Sequence, residues 1–270
     1  MRADVYGFLL VKAGNTADEC EDSCNFVLDA SPFAPDFIAS PSPCRFAIAD
    51  GATESSFSAE WAGLLTKGFA EADSLFTQNP REGGGRDRWL RRLREEWHKK
   101  VDWHRLNWAA LEKAQRGAHA TFLGLHLVDP STWRAWAVGD CMLFQVRRGL
   151  EVDSSEVTRM WPLENPSEFS NTPELLCSVA SEDESMLDGA FRSTDGKYEG
   201  GRDLFILTTD ALGQWFISDC RGGGRLWRDL VYQTRDQAKF AEFVTGLRQA
   251  GSICNDDTTV VIIQTRKSSL

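Results

Sequence analysis

What these 270 residues have little of sets the first limits. They carry no cationic surplus: 30 lysines and arginines face 40 aspartates and glutamates, a formal charge of −10. Nucleic acid and anionic membranes are gripped by basic footprints, so both are excluded as general partners. Only Arg86, Arg88, Arg91, Arg92, Arg94, Lys99 and Lys100 form a basic stretch, and Glu95, Glu96 and Asp102 interrupt it. That mixture reads as the solvated face of a helix, able to receive at most a phosphorylated or acidic partner. The seven cysteines (20, 24, 44, 141, 177, 220 and 254) contain no Cys-x-x-Cys pair. Cys20 and Cys24 lack a second pair or a nearby histidine to complete a zinc set, so buried reduced thiols of a cytosolic protein are expected. Residues 5–11 are too short to span a bilayer, and no basic region followed by a long apolar stretch marks a leader. The expectation is a soluble, cytoplasmic protein. At 42% hydrophobic and 26% charged residues the chain can bury a full core. No internal repeat or long linker divides it, so one domain over 1–270 is expected.

Residues 5–11 (VYGFLLV) predict a buried strand, and 26–28 a short one, which leaves Glu21-Asp22 at a strand edge. Residues 31–43 hold four prolines and read as a surface loop. Residues 46–49 (FAIA) form a short apolar run that delivers Asp50 and Gly51 to its end, where Glu54, Ser55 and Ser56 open a helix. Over 55–76, Phe57, Trp61, Leu64, Leu65, Phe69, Ala72 and Phe76 recur at steps of three and four. That is an amphipathic helix, with Ser55 or Ser56 as its cap. A second long helix is expected over 87–115, with Trp89, Leu93, Trp97, Val101, Trp108 and Leu111 along one side. No His-Glu-x-x-His pattern joins His98 and His104 there. Strands follow at 119–128, 132–138, 142–146 and 150–152. The polar, turn-rich interval 154–201 reads as a variable, flap-like excursion with a strand near 175–179. Residues 203–209 (DLFILTT) form a buried strand ending on Asp210. Helices over 226–232 and 236–249 precede Asn255-Asp256-Asp257 and the terminal strand 258–265 (TTVVIIQT).

Asp22, Asp50, Asp140, Asp210 and Asp256 thus all stand at ends of apolar strands from distant parts of the chain. Any one of them alone is an ordinary turn or cap residue. As a set they repel one another, and some must protonate unless a cation neutralises them. Hard divalent ions, which take oxygen ligands and keep several waters, resolve that conflict and supply a metal-bound water as nucleophile.

Six short elements in order, spread over 5–265, resemble the metal-dependent serine/threonine protein phosphatase family of type 2C, in a bacterial-like variant. Cys20-Glu21-Asp22 is similar to its Asn-Glu-Asp element, and Ala49-Asp50-Gly51 to its Asp-Gly motif. Residues 117–125 (GAHATFLGL) resemble its Gly-x-Thr-Thr strand, and Val138-Gly139-Asp140-Cys141 its Gly-Asp-Ser motif. Thr208-Thr209-Asp210-Ala211-Leu212 resembles Ser-Asp-Gly-Leu, and residues 255–263 (NDDTTVVII) resemble Asp-Asn-x-Thr-Val-Val.

The resemblance implies an α+β, four-layer αββα sandwich of two mostly antiparallel sheets flanked by helix pairs. It implies two Mn²⁺ or Mg²⁺ ions, with Asp50 bridging both and the Gly51 carbonyl on one. Asp210 and Asp256 would hold the other ion. Glu21 and Asp22 would act through metal-bound waters, Asp22 orienting the nucleophile, and Asp140 would belong to a weak third site. Asp22 and Asp50 are then the catalytic residues. The implied reaction is direct attack of the bridging water on phosphoserine or phosphothreonine of a phosphoprotein, in signalling paired with a Ser/Thr kinase. No phosphoenzyme is needed, so the missing Cys-x5-Arg loop is no objection.

The chain departs from the family at several positions. Ala17 stands where many members have a phosphate-gripping arginine, for which Lys12 or an arginine of 154–201 is the candidate substitute. Ala52 replaces a histidine found after Asp-Gly in some members, and Ala211 a glycine. Gln214 replaces a further carboxylate, which weakens the third site. Asp257 replaces an asparagine, adding negative charge and metal affinity. These changes keep a second class in view, a catalytically weak phosphatase-like domain that binds phosphoprotein as a regulator. A metal-dependent nuclease or phosphodiesterase is disfavoured by the acidic charge.

Overall fold

The structure, a computed structural model, describes residues 2–26, 44–71, 84–149, 155–180, 189–225, 227–233 and 236–266. Two five-stranded antiparallel sheets lie at its centre. The first runs β1 (Arg2–Leu10), β12 (Thr258–Arg266), β11 (Asp203–Thr208), β7 (Met142–Arg147), β8 (Glu156–Trp161). The second runs β10 (Arg192–Lys197), β6 (Thr132–Val138), β5 (Phe122–Leu127), β3 (Cys44–Ala49), β2 (Ser23–Phe26). A two-residue pair, β4 (His119–Ala120) with β9 (Leu176–Cys177), sits beside them. The helices are α1 (Ser58–Ala70), α2 (Gly85–Lys100), α3 (Trp108–Gln115), α4 (Asp210–Arg221), α5 (Trp227–Gln233) and α6 (Gln237–Gln249).

Successive strand residues point to opposite faces, and here both faces are covered, so the central strands are apolar at most positions, with Arg45, His126 and Gln145 among the buried exceptions. Phe46, Ile48, Leu123, Leu125, Ala135 and Ala137 meet Leu143, Phe205, Leu207, Val261 and Ile263 between the sheets. The alternate residues Ala47 and Ala49 turn outward onto Trp61, Leu65 and Phe69 of α1 and Trp89, Leu93 and Trp97 of α2. On the far side Leu204, Ile206, Val260 and Ile262 pack on Leu212 and Phe216 of α4, Leu230 of α5, and Phe240 and Val244 of α6. The result is the expected αββα layering.

Several local expectations are corrected. Helix α1 starts at Ser58, and its cap is Phe57 in the left-handed region (φ 62°), with no side-chain cap bond. Ser55 is engaged elsewhere: its hydroxyl donates to Ala52 O and accepts from His119 N–H. The single helix over 87–115 is two. The chain extends at Val101, turns through Trp103–Arg105, and restarts at α3 where the Asn107 side chain caps Ala110 N. Trp103 folds back on Trp97 and His98, while Trp108, placed by its spacing on the apolar side, is 81% exposed. The strand over 119–128 breaks at Thr121, whose N–H turns to Asp50 O. The interval 154–201 supplies β8, β9 and β10, two of them outer strands of the main sheets. A strand is described over Ser23–Phe26, which includes the first residue of the one expected at 26–28; residues 27 and 28 lie outside the described residues, as do 31–43, 72–76 and 150–152. Cys44 and Cys141 are buried as expected, but Cys254 is exposed.

Candidate active site

The carboxylates meet because strand ends from both sheets open at the same edge of the sandwich. Asp50 follows β3, Asp140 follows β6, Asp210 opens α4 after β11, Asp256 precedes β12, and Asp22 precedes β2. Asp50, Gly51, Asp140, Asp210 and Asp256 line one cavity of about 810 Å³. Asp22 lies beneath, buried at 7% exposure.

Each acid is set by identifiable bonds. Thr121 fixes the Asp50 backbone by donating its N–H to Asp50 O (2.8 Å) and accepting Asp50 N–H at Oγ1 (3.2 Å). Gly51 is required by close approach: a Cβ there would lie 2.8 Å from Glu21 O and 2.9 Å from the Ser58 carbonyl carbon. Gly139 holds φ +86°, a turn open to glycine, and so aims Asp140 off the end of β6. Asp210 sits at a helix N-terminus, where exposed N–H groups favour an anion, and its Oδ1 accepts Ala211 N–H at 2.6 Å. Ala211 has no positive φ, so its Cβ is accommodated. Asp22 Oδ2 accepts hydroxyls from Thr259 (2.7 Å) and Thr209 (3.1 Å).

Asp22 Oδ1, equally buried, has no hydrogen-bond partner. An unsatisfied buried acceptor costs about 1–3 kcal/mol, which a cation or its hydration water would relieve.

The electrostatics match this placement. Burial, then repulsion from Asp22, Asp210, Asp256 and Asp140, holds the Asp50 carboxyl well above the ordinary range. Burial, with Asp257 and Asp210 nearby, pushes Asp22 up to about 8 against the pull of its threonine bonds. Burial and Asp210 push Asp140 to about 7, and burial and Asp256 push Asp210 to about 6. Among the described residues no salt bridge reaches any of these five acids. The donor set is all oxygen, which suits Mg²⁺ or Mn²⁺. Among the described residues no group of three or more His, Cys, Asp or Glu side chains is arranged to hold a metal ion by itself. Ions that keep several waters need none.

One expected ligand, Glu21, and the acid expected to add charge, Asp257, stand apart from the cavity wall. Glu21 lines a neighbouring depression of about 370 Å³. Its Oε1 accepts from Ser58 (2.7 Å) and its Oε2 from Thr53 (2.5 Å), with Lys12 Nζ at 3.7 Å. Asp257, read as extra charge for the metals, is 3% exposed and accepts the N–H groups of Lys12 (2.8 Å) and Glu21 (2.7 Å). It pins two loops together. Gln214 turns away to donate to Pro166 O.

Sequence reasoning missed the hydroxyls that hold the acids, Thr209, Thr259, Thr121, Thr53 and Ser58. The signal was present: each threonine lies within three residues of an aspartate or inside one of the six family-like elements. It also missed Lys113, Arg116 and His119 on the cavity wall. A hydrogen bond to Cys177 raises the pKa of His119 above its usual value.

An αββα sandwich with aspartates gathered at one mouth is the fold of the type 2C, metal-dependent protein phosphatases. Solved structures of that kind align with nearly the whole chain. PppA, a key regulatory component of T6SS in Pseudomonas aeruginosa, matches at TM-score 0.57 and 15% identity, over 98% of each chain. The Mycobacterium tuberculosis serine/threonine phosphatase PstP/Ppp matches at TM-score 0.54 and 13% identity, over 99% of this chain and 100% of that one. The catalytic domain of PstP in complex with two manganese ions matches at TM-score 0.53 and 15% identity, over 98% and 99%. No protein-family model and no curated protein matches the sequence.

Proposed function

We propose that the chain is a type 2C phosphatase that hydrolyses phosphoserine and phosphothreonine in proteins with two Mn²⁺ or Mg²⁺ ions. The observation that carries this is the mutually repelling set Asp22, Asp50, Asp140 and Asp210, gathered at one edge of the sandwich, whose carboxyls are raised by burial and by one another and which no salt bridge reaches among the described residues. Such a set is stable as anions only around divalent metal. The PstP structure holding two manganese ions supports the choice of ion.

In this reading Asp50, the Gly51 carbonyl, Asp210 and Asp256 hold the metals. When bound, these ions neutralise charge on phosphoryl oxygens and lower the pKa of coordinated water. Asp22, locked at Oδ2 by two threonines, offers Oδ1 as the acceptor that orients the attacking water. Glu21, satisfied by Ser58 and Thr53, ties the Asp50-Gly51 turn to α1 and bears on the metals only at a distance. Asp140 serves a weak third site, since Gln214 is turned elsewhere. The seven cysteines are free thiols, and among the described residues no helix is long and apolar enough to cross a membrane.

The test is hydrolysis of p-nitrophenyl phosphate and of a phosphothreonine peptide with and without Mn²⁺. Activity that requires Mn²⁺ and is lost in Asp50→Asn and Asp210→Asn supports the enzyme. Tight phosphopeptide binding with no turnover by wild type would instead establish the regulatory reading.

A further inference from the structure

The cavity wall carries charge of both signs, and the two signs are segregated. Its acids are Asp50, Asp140, Asp210 and Asp256 at the strand ends, with Glu54 on the adjoining turn. Its lysine and arginine, Lys113 and Arg116, come from one element, the C-terminal turn of α3. Cations are stable there because the last carbonyls of a helix present negative partial charge. In a chain of net charge −10 this is a local reversal of sign beside the proposed reaction centre.

The two side chains are placed to receive something from solvent. The Arg116 side chain is 74% exposed, and its ion pair is with Glu112 one turn earlier on the same helix (2.6 Å). Exposed i,i+4 pairs of that kind contribute only about 0.3–0.5 kcal/mol, so an incoming carboxylate can displace Glu112. Lys113 has no ion pair among the described residues. The backbone beneath them, in contrast, is fixed. Ala118 N–H donates to Ser178 Oγ, and Ser178 N–H donates back to Ala118 O, both at 2.8 Å. Ala52 N–H donates to His119 O, and Thr121 N–H to Asp50 O. The rim cations therefore stand at a set position relative to Asp50. Lys12, the cation nearest in sequence terms to the acidic motif, is tied to Glu21 and Thr53 in the neighbouring depression and does not line the cavity.

We propose that Lys113 and Arg116 form a subsite for acidic residues flanking the phosphorylated side chain of a protein substrate. The proposal rests on the phosphatase reading and narrows its substrate class to phosphoproteins with aspartate or glutamate beside the phosphorylated residue. High exposure argues for contact with the flanks and against a grip on the phosphate itself, which must sit deeper, among the aspartates. The stretch Ser170, Asn171, Thr172 and Pro173 on the same wall is uncharged and adds no competing preference of sign.

Two phosphothreonine peptides that differ only in flanking residues, acidic in one and basic in the other, test it. Wild type with Mn²⁺ is expected to favour the acidic peptide in kcat/KM, chiefly through KM. In K113A/R116A that preference falls about tenfold at low salt, as two exposed ion pairs allow, and in K113E/R116E it reverses. A preference that is the same in wild type and both variants overturns the subsite. So does a wild type indifferent to the flanks. Fluorescence anisotropy of the same peptides carrying a non-hydrolysable phosphonate reads the preference without turnover. If wild type hydrolyses neither peptide, the phosphatase reading fails, while the anisotropy ratio still decides the subsite.

Discussion

The acid limb of stability should be controlled by a residue outside the proposed active site, His126. It is the penultimate residue of β5, with Arg45 of β3 as its cross-strand partner on one side and Arg134 of β6 on the other. Its ring is 2% exposed, and neither nitrogen has a hydrogen-bond partner. Burial first, then the two guanidiniums, lowers its pKa from 6.5 to about 4. In the unfolded chain the imidazole takes a proton near 6.5, whereas the folded protein holds it neutral until about pH 4. The contribution is therefore complete above pH 6.5, is lost as pH falls from 6.5 to about 4, and is flat below. At 1.36 kcal/mol per unit the window spans at most about 3 kcal/mol, of which about 2 is lost by pH 5. Urea unfolding of wild type, His126→Gln and His126→Leu at pH 7.5 and 5.0 measures this directly. Each variant is referenced to its own value at pH 7.5, so any packing defect cancels. Wild type should lose about 2 kcal/mol more than either variant between the two pH values. Equal losses in all three would refute the reasoning.

Asp257→Ala should remove two charge-assisted bonds to backbone N–H groups and cost about 3–5 kcal/mol, read as a melting temperature lowered by about 10 °C. Asp257→Asn keeps one acceptor and should lose roughly half as much. Gly51→Ala forces a Cβ against two backbone atoms within 3 Å, so Mn²⁺-dependent hydrolysis should fall at least tenfold while circular dichroism stays native. Gly63→Ala in α1, where a Cβ meets nothing within 4 Å, should raise stability by about 0.5–1 kcal/mol in the same urea assay.

Legibility of the fold followed burial on two sides. Strands β3, β11 and β12 carry apolar or β-branched residues at nearly every position because helices and a second sheet cover both faces. Such runs announce themselves without knowledge of their neighbours. The outer strands do not. β8 (EVTRMW) and β10 (RSTDGK) pair on one side only and stay half exposed, so their residues are those of a loop, and charge on an edge strand is itself protective. Helix boundaries failed for a different reason. The apolar spacing runs on past the end of α2 because Val101, its C-cap, is buried and Trp108 of α3 falls in register although it is exposed, so periodicity alone could not reveal the break. The Asn107 cap was a local signal that the spacing argument passed over.

For the site, the aspartates at strand ends could be picked out one by one, but a sequence argument counts charges and cannot say where each lone pair goes. Asp22 and Asp257 illustrate the limit. Both are buried acids beside strands of the same motif set, and on charge alone both belong to the metals. Asp257 gives each carboxylate oxygen to a backbone N–H across 245 and 236 residues of sequence, so it closes the loops at Lys12 and Glu21. Asp22 has one oxygen held by threonines 187 and 237 residues away and one left without a donor. The difference between a brace and a ligand thus lies in donors supplied by Thr209, just after β11, and by Thr259 of β12, which no spacing near residue 22 encodes. It also predicts an asymmetry. Asp257→Asn should weaken the fold with metal present or absent, whereas Asp22→Asn should stabilise the metal-free protein by relieving repulsion in the cluster, as thermal melts in EDTA can show. A lowered melting temperature for Asp22→Asn in EDTA would mean that its threonine bonds outweigh the repulsion, and the assignment of Oδ1 to a bound ion's water would fall with it.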